Sequence, residues 1–191
     1  MLPASKTRPG GRAARVRAAV LAAARAELLA KGFDDFAIGD VALAAGVQKT
    51  SIYRRYKNCS ALILEVVLET TDEGIAIPDT GTLAGDLALL LERTGVFLQS
   101  PLAQAVAAIA HRRGDPELDL AQRAFWERRR ARLDVLFDRA EARGELAPAT
   151  DRALLFSMLL GPLWYRLFLS REPFDERIIR TLVARVLRGF A

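Results

Sequence analysis

The stretch Ile38–Tyr56, IGDVALAAGVQKTSIYRRY, restricts what this chain can fold into more than any other segment. Two short helices that meet steeply through a tight turn need a small residue where their backbones approach, and Ala42 stands there. Four residues on, the turn needs a residue at ease with positive φ, and Gly46 supplies it. Val41, Ala45, Val47 and Ile52 are spaced to pin both helices onto a preceding one. The combination predicts a helix-turn-helix. The alternative is an ordinary helical hairpin inside a larger core.

Charge favours the first reading. Residues 1–60 hold 11 Lys and Arg against 4 acids, whereas residues 61–191 hold 17 against 19. The chain's net charge of +5 therefore combines a strongly basic third with a nearly neutral remainder. That split is the electrostatic footprint of a nucleic-acid-binding module joined to a neutral one.

The rest of the chain reads as helix. Hydrophobic residues make up 51% of it, enough for a core, and no run of Val, Ile and Thr alternates at period two. Residues 1–12, rich in Pro, Gly and basic side chains, read as an arm carrying Lys6, Arg8 and Arg12. A first helix is expected from about Arg12 to Lys31, ended by Gly32 in a Schellman motif that lays Phe33 on Leu28. Short helices follow near Ile38–Ala45 and Lys49–Tyr56. A fourth, from Cys59 to Glu73, is N-capped by Asn58. Five more are expected near Thr82–Gln99, Leu102–Arg113, Pro116–Arg143, Thr150–Leu169 and Phe174–Gly189. The fold class is all-α. A three-helix DNA-binding domain with its basic arm spans residues 1–58, and a second, nearly neutral helical domain spans 59–191.

With Ile52 facing inward, the remaining faces of its helix carry Gln48, Lys49, Thr50, Ser51, Tyr53 and Arg54. Such a helix enters the major groove with its N-terminal residues at the base edges. Lys49 and Arg54 suit guanine, Gln48 suits adenine, and Thr50 suits a thymine methyl. Tyr53, Tyr56 and Lys57 are placed for phosphates, which set register; for the two tyrosines, packing is the alternative.

From Val20 to Val66 the sequence resembles the DNA-binding region of the TetR family of transcriptional regulators. The likeness rests on Gly32-Phe33, Asp40-Val41-Ala42, Ala45-Gly46-Val47, Ile52-Tyr53-Arg54 with Tyr56, and Ala61-Leu62. It implies a homodimer, a palindromic double-stranded DNA operator, and release by a small-molecule effector. It also implies phosphate contacts around Tyr53, Tyr56 and Lys57. Three positions depart from the pattern: Ala37 stands where Thr or Ser is common, Gln48 where Ser is common, and Cys59 where Lys is common. A looser likeness to one C-terminal domain type of that family runs from Arg112 to Leu167. It is carried by Arg113-Gly114-Asp115-Pro116-Glu117-Leu118, Arg143-Gly144-Glu145-Leu146, and Leu160-Gly161-Pro162-Leu163 with Tyr165-Arg166.

The Leu154–Leu169 segment is apolar nearly all round and reads as a buried helix, too short for a membrane span. The last helix carries Ile178, Ile179, Leu182, Val183 and Val186 on one stripe. Paired across a two-fold axis, these two helices would form a four-helix dimer interface. An effector cavity between helices would draw on Phe97, Phe125, Trp126, Phe156, Met158, Trp164, Tyr165 and Phe168, each of which also fits a core. Arg166 needs a partner in its apolar helix. Arg128, Arg129, Arg130 and Arg132 read as a solvated face, and His111 as a helix-end residue.

One Cys, Cys59, and no leader-like apolar run fit a reducing cytoplasm. One His and one Cys leave most zinc sites and catalytic triads without parts. A non-enzymatic regulator, with neither cofactor nor metal, is therefore expected. Two alternatives stay open: a DNA-binding regulator without a ligand switch, and a helical protein-interaction module.

Overall fold

The computed structural model describes residues 10–74, 76–110, 112, 114 and 116–190. Lys6 and Arg8 of the basic arm, and His111, Arg113 and Asp115, lie outside the described residues. Among the described residues there is no strand. The helices are α1 (Gly10–Lys31), α2 (Ile38–Ala44), α3 (Lys49–Arg55), α4 (Cys59–Gly74), α5 (Leu83–Leu98), α6 (Pro101–Ala110), α7 (Pro116–Ala142), α8 (Arg152–Trp164) and α9 (Glu176–Leu187). A π-helical turn, Tyr165–Ser170, prolongs α8. The all-α class expected from the sequence holds.

The chain divides into two compact units that do not follow sequence order. One comprises residues up to Glu69 together with Ala105–Gln122; the other comprises Thr70–Gln104 and Arg123–Ala191. Helices α4, α6 and α7 each contribute residues to both. The first unit is thus larger than the three-helix segment ending at residue 58, because the end of α6 and the start of α7 belong to it.

In the first unit, Val20, Leu21, Ala24 and Leu28 of α1 recur at helical spacing and are all buried. Gly32, at φ +76°, closes α1, and its N–H donates to the Leu28 carbonyl at 2.9 Å. This is the single closing bond of the αL motif, in place of the expected Schellman pair. Asn58 caps α4 as expected, its Oδ1 accepting from the Ala61 N–H at 2.9 Å. By contrast, neither Ala37 before α2 nor Gln48 before α3 makes a side-chain cap bond.

In the second unit, α5, α8 and α9 pack around Leu87, Leu91, Leu155, Leu159, Leu163, Ile179, Val183 and Val186, with Leu136, Phe137 and Ala140 of α7. Thr82, Asp151 and Asp175 cap α5, α8 and α9 with their side-chain oxygens. Asp86 is fully buried and accepts from the Thr80 N–H at 2.6 Å and the Thr80 hydroxyl at 2.8 Å.

The expectation of a buried Leu154–Leu169 helix is corrected here. Leu155, Phe156, Leu159 and Leu163 are buried, but Leu154, Met158, Tyr165 and Leu169 are exposed. With Gly161, also exposed, they run along one stripe. The run Arg152–Ser170 has the length and apolarity of a bilayer-spanning helix. Its buried face nonetheless packs against α5 and α9, so the helix is anchored in the core on one side and open on the other. Arg166 finds its partners beyond the π-helical turn. It pairs with Glu172 at 2.8 Å and its Nε donates to the Pro173 carbonyl at 2.9 Å. Of the arginine run, Arg128 and Arg130 are exposed, whereas Arg129 and Arg132 are half-buried.

Candidate DNA-binding site

Helix α3 is only 7 residues long and its placement depends on Ile52, which is 1% exposed. Gly46, at φ +64°, makes the turn from α2, and the Val47 N–H donates to the Ala42 carbonyl at 3.0 Å across it. An alanine at Gly46 would meet open space, so backbone conformation, not crowding, fixes glycine there. Val41 and Ala42 are buried beneath the turn, and Ala45 and Val47 are half-buried. The four apolar pins and the glycine therefore act as the sequence predicts.

With Ile52 inward, Gln48, Lys49, Thr50, Tyr53, Arg54 and Lys57 are exposed, and Ser51 is half-buried. The Lys49 ammonium lies 5.8 Å from the Tyr53 ring centroid, which holds both side chains on one face of α3. Arg55, which sequence reasoning passed over, is also exposed in the last turn, its guanidinium 5.7 Å from the Tyr56 ring centroid. The signal that could have found it was its position between Arg54 and Lys57. Tyr56 is a packed residue, 7% exposed. Burial pushes its phenol pKa up, against the weaker opposing influence of Arg55. Its hydroxyl is buried and finds no hydrogen-bond partner among the described residues.

Two ion-pair clamps tie α1 to its neighbours α2 and α4. Lys31 at the end of α1 reaches Glu27 at 2.7 Å and Asp40, in the first turn of α2, at 2.6 Å. Hydrogen bonding to Asp40 and then Glu27 raises the ammonium's pKa, and the same Lys31 bond lowers that of Asp40. Arg17 of α1 forks onto α4, pairing with Glu65 and, at 3.0 Å, with Glu69. Its pKa is raised chiefly by the Glu65 hydrogen bond. These two cations are committed within the protein, while Lys49, Arg54 and Lys57 point to solvent. Such an array can donate to base edges and neutralise phosphates.

The aromatic residues expected around an effector are dispersed. Phe156 lines a pocket of about 280 Å³ between α7 and α8, with Phe137, Leu133, Glu127, Asp134 and Arg152. Phe97, Trp164 and Phe168 are half-buried against the core, the last two stacked with centroids 4.6 Å apart. Phe125 is buried edge-on to Trp126, 5.0 Å between centroids. Met158 and Tyr165 belong to the exposed stripe. A larger groove of about 950 Å³ runs between α5 and α9.

A helical chain that presents a recognition helix in this way belongs to the class of helix-turn-helix DNA-binding transcription regulators. Residues 20–66 match the family described as bacterial regulatory proteins, tetR family, and residues 77–186 match the tetracyclin repressor-like C-terminal domain. The chain belongs to the TetR family. It is similar to the HTH-type transcriptional regulator AqdR of Rhodococcus erythropolis, 34% identical over 78% of this chain and 73% of that protein. It is also similar to the DNA-binding transcriptional repressor TetR of Mycobacteroides abscessus, 33% identical over 89% and 90% of the two chains. The crystal structure of the TetR family transcription regulator SCO0332 superposes with a TM-score of 0.81 at 29% identity, covering 93% of this chain and 99% of that one.

Proposed function

We propose that this regulator is a repressor that binds a palindromic operator as a homodimer and releases it when a small molecule binds the second unit. The observation that carries the DNA-binding half is α3 itself: one buried anchor, Ile52, and an exposed face of Gln48, Lys49, Thr50, Tyr53, Arg54 and Lys57. Ser51 and Tyr56 complete the set from half-buried and packed positions. Ser51 is open to a base or phosphate on docking, while Tyr56 contributes through its packing. In the proposed organisation residues 1–58 read DNA, and residues 59–191 dimerise and sense.

The exposed stripe Leu154, Met158, Tyr165 and Leu169 supports the dimer, because a contiguous apolar face on one helix calls for a covering partner. Two-fold symmetry would set the recognition helices one DNA turn apart, about 34–36 Å. The α7–α8 pocket beside Phe156 is the proposed effector entry; Phe97, Phe125, Trp126, Trp164 and Phe168 lie outside its lining, and Tyr165 belongs to the exposed stripe. A switch from almost full occupancy to almost full release needs an effector preference of about 5.5 kcal/mol for the released state. The protein acts by binding, not by catalysis, in a reducing cytoplasm.

Selection from a random duplex pool tests this, at about physiological salt so that backbone-only binding is suppressed. A recovered palindrome supports the reading and supplies the probe for a release screen. Folded dimer that enriches no sequence refutes it. The leucine-filled core of the second unit favours a second reading, a constitutive binder. In that case the palindrome is recovered and no small molecule releases it.

A further inference from the structure

Residues 105–122 lie far from the helix-turn-helix in sequence, yet they share its compact unit. The Ile109 carbonyl accepts from the Arg112 N–H at 3.0 Å and from the Gln122 side-chain amide at 2.9 Å, which welds the end of α6 to the start of α7. Ile109 and Leu118 on either side are buried. From this corner the Arg112 guanidinium lies 4.7 Å from the centroid of the Phe33 ring. Phe33 is itself fixed, since it follows Gly32, where the αL backbone ends α1 and turns the chain towards α2. The two partners thus share one compact unit: Phe33 stands between α1 and α2, and Arg112 between α6 and α7, the two helices that run on into the second unit.

We propose that Arg112 is a positioning residue for operator binding, acting through the face of Phe33 to fix the orientation of the recognition helix against the α6–α7 corner. A guanidinium over an aromatic face within about 6 Å is attractive, and a planar guanidinium stacks where an ammonium does not. The corner is the start and end of the two helices that carry the chain into the second unit, so its grip on Phe33 sets how the two heads of a dimer are presented to successive major grooves. The inference rests on the dimeric operator-binding reading above.

The test uses the full chain and the selected operator in three forms: native, with one base pair inserted between half-sites, and as a single half-site. Wild type is compared with Arg112→Ala, Arg112→Lys, Phe33→Leu and the Arg112→Ala/Phe33→Leu double variant. Arg112 is exposed, so its replacement leaves a folded chain, and a thermal scan of each variant verifies this. The expected result is a loss of about two- to five-fold in preference for native spacing in each Ala or Leu variant, the size of an exposed cation–π contact. Half-site affinity stays unchanged, the double variant is no worse than either single one, and Arg112→Lys falls in between. Additive losses in the double variant would overturn the pairing with Phe33. A salt slope reduced by about one with spacing preference intact would make Arg112 a phosphate contact instead. Wild type indifferent to spacing refutes the dimeric reading and this inference with it; wild type sensitive to spacing with every variant like it refutes this inference alone.

Discussion

Two exposed faces among the described residues are chemical opposites. The outer face of α3 presents Lys49, Thr50, Tyr53 and Arg54, with Lys57 just beyond. The outer stripe of α8 and the π-helical turn that prolongs it presents Leu154, Met158, Tyr165 and Leu169. Each lies on a helix whose other side is anchored in a core, by Ile52 in one case and by Leu155, Leu159 and Leu163 in the other. A cationic face is satisfied by phosphates and weakens with salt. An apolar face is satisfied by another apolar face and does not. On the proposed reading the two surfaces take different partners, DNA for the first and a second copy of the chain for the second.

The apolar stripe carries the largest expected effect. Leu154→Glu with Met158→Glu should convert a dimer to a monomer by sedimentation, and the loss of bivalent attachment should lower operator affinity by about 10²–10⁴-fold. A dimer that survives this change places the interface elsewhere. The anchors come next: Ile52→Ala should destabilise the first unit by about 2–5 kcal/mol in urea unfolding, since Ile52 is buried and its truncation leaves a cavity. On the cationic face, Arg54→Ala should cost about 1–3 kcal/mol of specific binding if it reads a base. An effect confined to the salt slope would reassign Arg54 to a phosphate. Asn58→Ala removes the α4 cap and should cost about 1 kcal/mol of stability.

The smallest effect is electrostatic. Lys31 holds the Asp40 carboxyl below its ordinary range, so the folded pKa is depressed. Its contribution to stability is present above the ordinary carboxylate pKa and is lost as pH falls through the folded value. Asp40→Asn should therefore flatten the acid limb of the melting temperature against pH while leaving its neutral limb nearly unchanged.

The head was legible in the sequence because its determinants are local. Gly46 sets the turn, Ala42 the approach, and Ile52 the inward face, all within one short stretch. Asn58 as a cap and the helix order were legible for the same reason. The state of α8 was not, because an apolar sequence does not say whether its own chain or another covers it. Tyr56 could be read as a phosphate contact or as packing, and only burial by sequence-distant residues places its ring inside. The inclusion of residues 105–122 in the first unit, and the approach of Arg112 to Phe33, depend on long-range packing that no periodicity encodes.

The most direct test is a titration of the selected palindrome, and of one isolated half-site, with the wild-type chain, with stoichiometry read by sedimentation. The prediction is that two chains load the palindrome in a single cooperative step, that the half-site binds at least about 100-fold more weakly, and that Arg54→Ala weakens both. Equal affinity for palindrome and half-site, with chains adding one at a time, would contradict a regulator built from one DNA-reading face and one self-pairing face.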